Sequence, residues 1–118
     1  MLFRSGMIVA PCSIRSLSEI AHGVTGSLLS RAADVVLKER RRLVLAVRET
    51  PLSEIHLENM LRLARMGVVI APPLPAFYSR PQSVDDLVTY SAARLLDQFD
   101  VHLDVPARWA GLRPVRSR

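Results

Sequence analysis

Short apolar runs without alternation punctuate this chain, each separated from the next by helical periodicity. Met7-Ile8-Val9-Ala10, Leu43-Val44-Leu45-Ala46-Val47 and Val68-Val69-Ile70-Ala71 are continuous apolar stretches of four or five residues. Runs of this length between amphipathic segments predict buried parallel strands. Each run gives way to proline and then to polar or aromatic residues: Pro11-Cys12-Ser13, Arg48-Glu49-Thr50-Pro51, and Pro72-Pro73 leading to Phe77-Tyr78. In open α/β sheets ligands bind outside the carboxyl ends of the strands. The pattern therefore places a ligand site where the most specific polar residues already cluster.

The intervening segments predict four helices. Ser13 is the candidate N-cap of the first, which runs to about His22-Gly23 with Ser16 and Glu19 in its early turns. The second covers about 28–39, with an apolar set (Leu28, Leu29, Ala32, Ala33, Val35, Val36, Leu37) too broad for a solvated helix. It should pack on the sheet or on a neighbouring subunit. The third covers about 53–66 and ends at Gly67, which fits the C′ position. Ser83 caps the fourth, about 84–98, with Asp85 and Asp86 complementing its dipole. A proline-rich loop through Pro81 precedes it, and a tail with little periodicity begins at 99. The expected organisation is a single partial domain over 1–118. Its fold class is α/β, a Rossmann- or flavodoxin-like three-layer αβα arrangement around a parallel sheet. Three strands are few where five or six are usual, and the first strand would lie at an open edge. Either an oligomer covers that edge, or the chain is the carboxyl half of a longer protein.

Composition narrows the function. At 118 residues the chain can bury roughly two-thirds of its unfolded surface. No apolar run approaches the ~20 residues of a membrane span, and the first six residues are too short for a signal peptide. Cys12 is the sole cysteine, so no intrachain disulfide is possible and a cytoplasmic location is expected. The net charge of +5 invites a nucleic-acid reading, but its distribution argues against one. Lys38 is the only lysine, and apart from Arg40-Arg41-Arg42 the arginines are scattered. That run reads as a solvated connector between a helix and a strand. An anionic small ligand suits forked guanidinium groups better.

The segments Ala10-Pro11-Cys12-Ser13, Arg31–Arg41 and Val47-Arg48-Glu49-Thr50-Pro51 occur here in a fixed order and spacing. Ile55-His56-Leu57-Glu58-Asn59-Met60, Pro75-Ala76-Phe77-Tyr78 and Arg80-Pro81-Gln82-Ser83 continue the series. Together they resemble UbiX-type flavin prenyltransferases, formerly known as aromatic-acid decarboxylases, over about residues 6–111. The resemblance covers the carboxyl-terminal portion of that family. Its upstream half-domain, with a Gly-Ala-Ser-Gly phosphate loop, has no counterpart in this sequence.

The resemblance implies FMN as cofactor and dimethylallyl monophosphate as substrate. It implies a reaction that joins the allyl group to flavin N5 and then C6, giving the prenylated cofactor of UbiD-type decarboxylases. It implies a homo-oligomer with active sites at subunit boundaries, and no metal. Ser13, Ile14, Arg15 and Ser16 match the flavin-contacting turn, with Ser16 in place of the family's threonine. Arg48 matches a flavin and phosphate contact, and Glu49 the proton-handling carboxylate; dry pockets in general suit carboxylates to general-acid work. Lys38, Tyr78 and Arg94 match the residues that hold the phosphate, where cations and a phenol stabilise an anionic leaving group. Trp109 matches an aromatic near the reacting allyl group.

Taken without the resemblance, these residues read more plainly. Ser13 is then a capping serine, Arg48 and Glu49 a surface ion pair, and Lys38, Tyr78 and Arg94 structural. His22, His56 and His102 lie on separate elements without metal-ligand spacing, and Cys12 reads as a packed thiol. Two further readings stay open. One is a related flavin-dependent cysteine decarboxylase, which has no need of the Lys38, Tyr78, Arg94 set. The other is a non-catalytic truncated fragment that keeps the oligomer surface.

Overall fold

The computed structural model describes residues 5–102. Its elements follow in the order β1 (Gly6–Cys12), α1 (Ile14–His22), α2 (Leu28–Lys38), β2 (Arg42–Val47), α3 (Glu54–Arg65) and β3 (Val69–Ile70). A 3-10 turn, Phe77–Ser79, then leads to α4 (Val84–Asp97). The three strands form one parallel sheet in the order β1-β2-β3. Both crossovers advance in the same direction, so right-handed connections put their helices on one face.

The core shows that face directly. Val9 and Cys12 of β1 and Leu43, Leu45 and Val47 of β2 pack with Leu17, Ile20 and Ala21 of α1, Ala33 of α2 and Leu63 of α3. Leu17, Leu45 and Leu63 are fully buried. The opposite face carries Arg42, Val44 and Ala46 by strand alternation. Arg42 donates a hydrogen bond to the carbonyl of Gln98, just past α4, so α4 ends on this second face. Gly6 lies here too: a Cβ at that position would run into the Arg42 carbonyl and the Phe99 ring. The fold is thus flavodoxin-like α/β with helices on both sides of a parallel sheet.

Local chemistry explains why each element starts and stops. Ser13, Ser27, Ser53 and Ser83 all occupy N-cap positions and accept from the third amide of their helices. A cap of this kind contributes ~1 kcal/mol. Gly23 ends α1 in the left-handed region at φ 68°, and Gly67 follows α3 at φ 92°, as the C′ reading of Gly67 requires. The observed helix and strand limits lie within two residues of the sequence expectation. The main difference is at Ala10-Pro11. Val9 pairs with Leu45 but Cys12 pairs with Val47, so β1 carries one residue more than β2 there. Proline lacks the ladder donor and is tolerated at such a bulge. The expected tail from 99 lies mostly outside the described residues.

Candidate active site

The carboxyl ends of β1 and β2 leave the sheet side by side, with the Arg48 amide donating to the Cys12 carbonyl at 3.3 Å. The cap of α1 follows at once. Ser13 Oγ accepts from the Ser16 amide at 3.1 Å and donates to Ser16 Oγ at 3.2 Å. The amides of Ile14 and Arg15, in the first turn, have no acceptor among the described residues. The Arg15 guanidinium is turned along the helix to Glu19 at 3.2 Å, leaving its backbone as the group presented at the rim. No acidic residue occupies the first turn of α1, whereas α3 and α4 have Glu54 and Asp85 with Asp86. Unfilled amides at a helix start and an uncompensated dipole favour an anion or an electron-rich ring edge.

Arg48 and Glu49 are both exposed and do not pair with one another, which sets aside the surface ion pair. The Arg48 guanidinium has no ion-pair partner among the described residues. Glu49 Oε1 accepts from the Thr50 amide at 3.1 Å. Within one chain its carboxylate therefore stands in water and not in a dry pocket.

Beyond β3 the chain builds a second feature. Ala71 donates to Leu45 O at 2.9 Å, and the proline loop then turns outward. With α4 it encloses a cavity of about 500 Å³ whose lining includes Pro73, Tyr78, Tyr90, Arg94 and Gln98. Tyr78 Oη lies 3.0 Å from Tyr90 Oη. The hydrogen bond to Tyr78 and burial both push the Tyr90 phenol up from its ordinary value. Tyr90 was not singled out in the sequence, although its spacing of four from Arg94 puts both on one helix face.

Lys38 does not join this pair within one chain. It ends α2 beside the amino-terminal rim of the sheet, and its neighbours Leu37 and Glu39 border a different cavity, of about 940 Å³, with Ser5 and Arg42. In that larger cavity Arg41 is paired to Glu39 at 3.0 Å and Arg42 is bonded to Gln98, while in the smaller one Arg94 pairs with Asp97 at 3.4 Å. Trp109 lies outside the described residues. Cys12 is buried and unpaired, and burial pushes its thiol up to about 11. His22 bonds Asn59 Oδ1 at 2.9 Å and joins α1 to α3, while His56 Nδ1 accepts from the Ser53 amide in the α3 cap. Among the described residues no three His, Cys, Asp or Glu side chains are grouped to hold a metal. Nor is any helix of the described residues long and apolar enough to cross a membrane.

Comparison with known proteins gives the class. Residues 3–96 match the Flavoprotein family model, and the chain belongs to the Flavoprotein family. Within it, the chain is 61% identical over 112 residues to a probable UbiX-like flavin prenyltransferase of Streptomyces sp. (strain D7), covering 95% of this chain and 56% of that protein. It is 56% identical over 107 residues to the flavin prenyltransferase UbiX of Neisseria meningitidis, covering 91% and 57%. Among solved structures it superposes with a TM-score of 0.86 on the dodecameric FMN-dependent UbiX-like decarboxylase of Escherichia coli O157:H7, at 57% identity, covering 90% and 57%. A second, AnUbiX in complex with FMN and dimethylallyl pyrophosphate, gives 0.83 at 56% identity, covering 92% and 57%. The chain thus spans little more than half the length of these relatives.

Proposed function

We propose that this chain serves flavin prenylation: transfer of a dimethylallyl group from dimethylallyl monophosphate to reduced FMN. The observation that carries the reading is the strand-end rim, where Ser13, Ser16, the open amides of Ile14 and Arg15, and Arg48, without an ion-pair partner among the described residues, stand together. Hydroxyl donors, free amides and a guanidinium suit the polar edge and phosphate of FMN. When bound, reduced FMN supplies the nucleophilic N5 and C6 positions of the reaction.

The chain's own groups supply the rest. The Arg94 guanidinium and Tyr78 phenol line one cavity and would bind the phosphate of the allyl donor. Their charge and hydrogen bonding favour departure of phosphate with the electron pair of the breaking carbon–oxygen bond. Glu49 would hold or move a proton beside the flavin. It stands in water here, so that role calls for a neighbouring surface to dry it.

Lys38 sits by the other rim, so in this reading it would reach the phosphate only from another copy. The relative from Escherichia coli is dodecameric. Leu28 is 85% exposed on α2, and Leu57 and Leu61 are exposed one turn apart on α3, so apolar surface is available for association of copies. The reading includes delivery of the prenylated cofactor to a UbiD-type decarboxylase. It also includes one partial domain over 1–118 with its tail from about 99, and a cytoplasmic location, for which the unpaired Cys12 is suited.

The Tyr78 and Arg94 cavity weighs against a cysteine decarboxylase. A non-catalytic subunit is the second reading, favoured by the exposed Glu49 and by the share of the relatives' length that the chain spans. Incubating the purified chain with FMN, a reductant and dimethylallyl monophosphate separates the two. Prenylated flavin detected by mass spectrometry is expected. A colourless assembly that yields none overturns the transferase reading in favour of the second.

A further inference from the structure

The chain has two tyrosines, twelve residues apart, and their hydroxyls meet. Tyr78 sits on a three-residue turn and is 71% exposed, whereas Tyr90 is 9% exposed on α4. The backbone of the turn is held by buried Ala76 and by Ser79 Oγ, which donates to the Ala76 carbonyl at 2.6 Å. Neither contact fixes the Tyr78 ring. The only hydrogen bond of its hydroxyl among the described residues is the one shared with Tyr90, in which either oxygen could donate. Arg94 follows Tyr90 by one helical turn, and all three side chains line the same cavity.

We infer that Tyr90 is a positioning residue: it donates its proton to Tyr78 Oη and so leaves the Tyr78 O–H free to donate to a phosphate oxygen beside Arg94. The inference deepens the preceding reading and rests on it for the identity of the ligand. A phenol has one proton, so Tyr78 can serve an anion only if the shared bond is supplied from the Tyr90 side. A donor chain of this kind also polarises its terminal O–H. The bond to Tyr78 and burial raise the Tyr90 pKa, in keeping with a phenol that retains its proton in this bond. Because Tyr90 and Arg94 share a helix face, the bond also sets the spacing between phenol and guanidinium. Tyr90 itself touches no reacting atom in this scheme.

The test uses the full 118-residue chain. Dimethylallyl monophosphate is titrated calorimetrically into the unaltered protein, Tyr78→Phe, Tyr90→Phe and the double variant. Each single change should weaken binding about five-fold, equivalent to ~1 kcal/mol, and the double variant should lose no more than either. Unaltered affinity in Tyr90→Phe, or losses that multiply, would overturn the inference, as would absence of binding by the unaltered chain. A spectroscopic arm needs no turnover. In Tyr78→Phe, Tyr90 is the only tyrosine, and its ionisation midpoint should fall back toward the ordinary phenol range. An unmoved midpoint again overturns the pairing. If the allyl phosphate binds in a Tyr90-dependent way but no prenylated flavin forms, the positioning role stands and the transferase reading fails.

Discussion

Residues 6–70 and residues 71–98 hold the two parts of the candidate site on different foundations. The first region is a layered core in which strands and helices α1 to α3 share one continuous apolar cluster. Ser13 and Arg48 leave that core directly, one residue beyond buried Cys12 and Val47. The second region is a proline loop and one helix. Its buried residues Ala76, Tyr90 and Ala93 stand outside the main cluster. Tyr78 and Arg94 are thus held by a hydrogen bond and by a single helix, not by a packed layer. The proposed flavin ledge is therefore built on the packed core, whereas the proposed wall for the allyl phosphate is the less constrained of the two.

The sharpest way to break this contrast is to remove volume from each region. Leu45→Ala, in the central strand, should destabilise the chain by ~3 kcal/mol, read from the urea midpoint. Leu95→Ala, half-buried on α4, should cost less than about 1 kcal/mol. Equal losses would mean that the arm belongs to the same cooperative unit as the core.

The seam between the regions responds next. Gly6→Ala forces a methyl group into the Arg42 carbonyl and the Phe99 ring. A loss of ~2 kcal/mol is expected by the same measurement, since overpacking must displace backbone. No loss would mean that β1, β2 and Phe99 do not pack this closely around Gly6.

Smaller and more discriminating is the pair Ser13→Ala and Ser83→Ala. Both remove an N-cap that accepts an amide at 3.1 Å, and each should cost ~1 kcal/mol. Only Ser13→Ala should also weaken FMN retention in an equilibrium dialysis, because only that cap stands at the proposed flavin ledge.

The smallest effect at neutral pH concerns Cys12. Burial raises its pKa from the ordinary 9.0 to about 11, so the folded state holds the thiol proton more tightly than the unfolded chain. The contribution is fully present below pH 9 and is lost as pH rises from 9 toward 11. Thermal melts across that window should decline in the natural chain more steeply than in Cys12→Ala. A thiol reagent should label the protein only on unfolding.

Most of the α/β layer was legible because periodicity and caps agreed there. Leu43–Val47 read as a buried strand, and Ser13 and Ser83 were read as caps; the matching caps at Ser27 and Ser53 emerged only in the structure. The convergence of Ser13 and Arg48 followed from the rule that parallel strands share one carboxyl rim. Three things were not legible. The separation of Lys38 from Tyr78 and Arg94 depends on where α2 ends relative to the sheet, which no local pattern encodes. The His22–Asn59 bond joins two helices 37 residues apart. Tyr90 looked like any helical aromatic until its hydroxyl was seen to meet another.

The surplus residue at Ala10-Pro11 settles the handedness of delivery. Strict two-residue alternation from Val9 would send Cys12 to the α4 side of the sheet. The slip in register sends it inward beside Val47 instead. The α1 cap begins one residue later, beside the point where the Arg48 amide bonds the Cys12 carbonyl. Excising a single residue at this point would leave composition and hydropathy almost untouched, yet aim the whole ledge at the wrong wall.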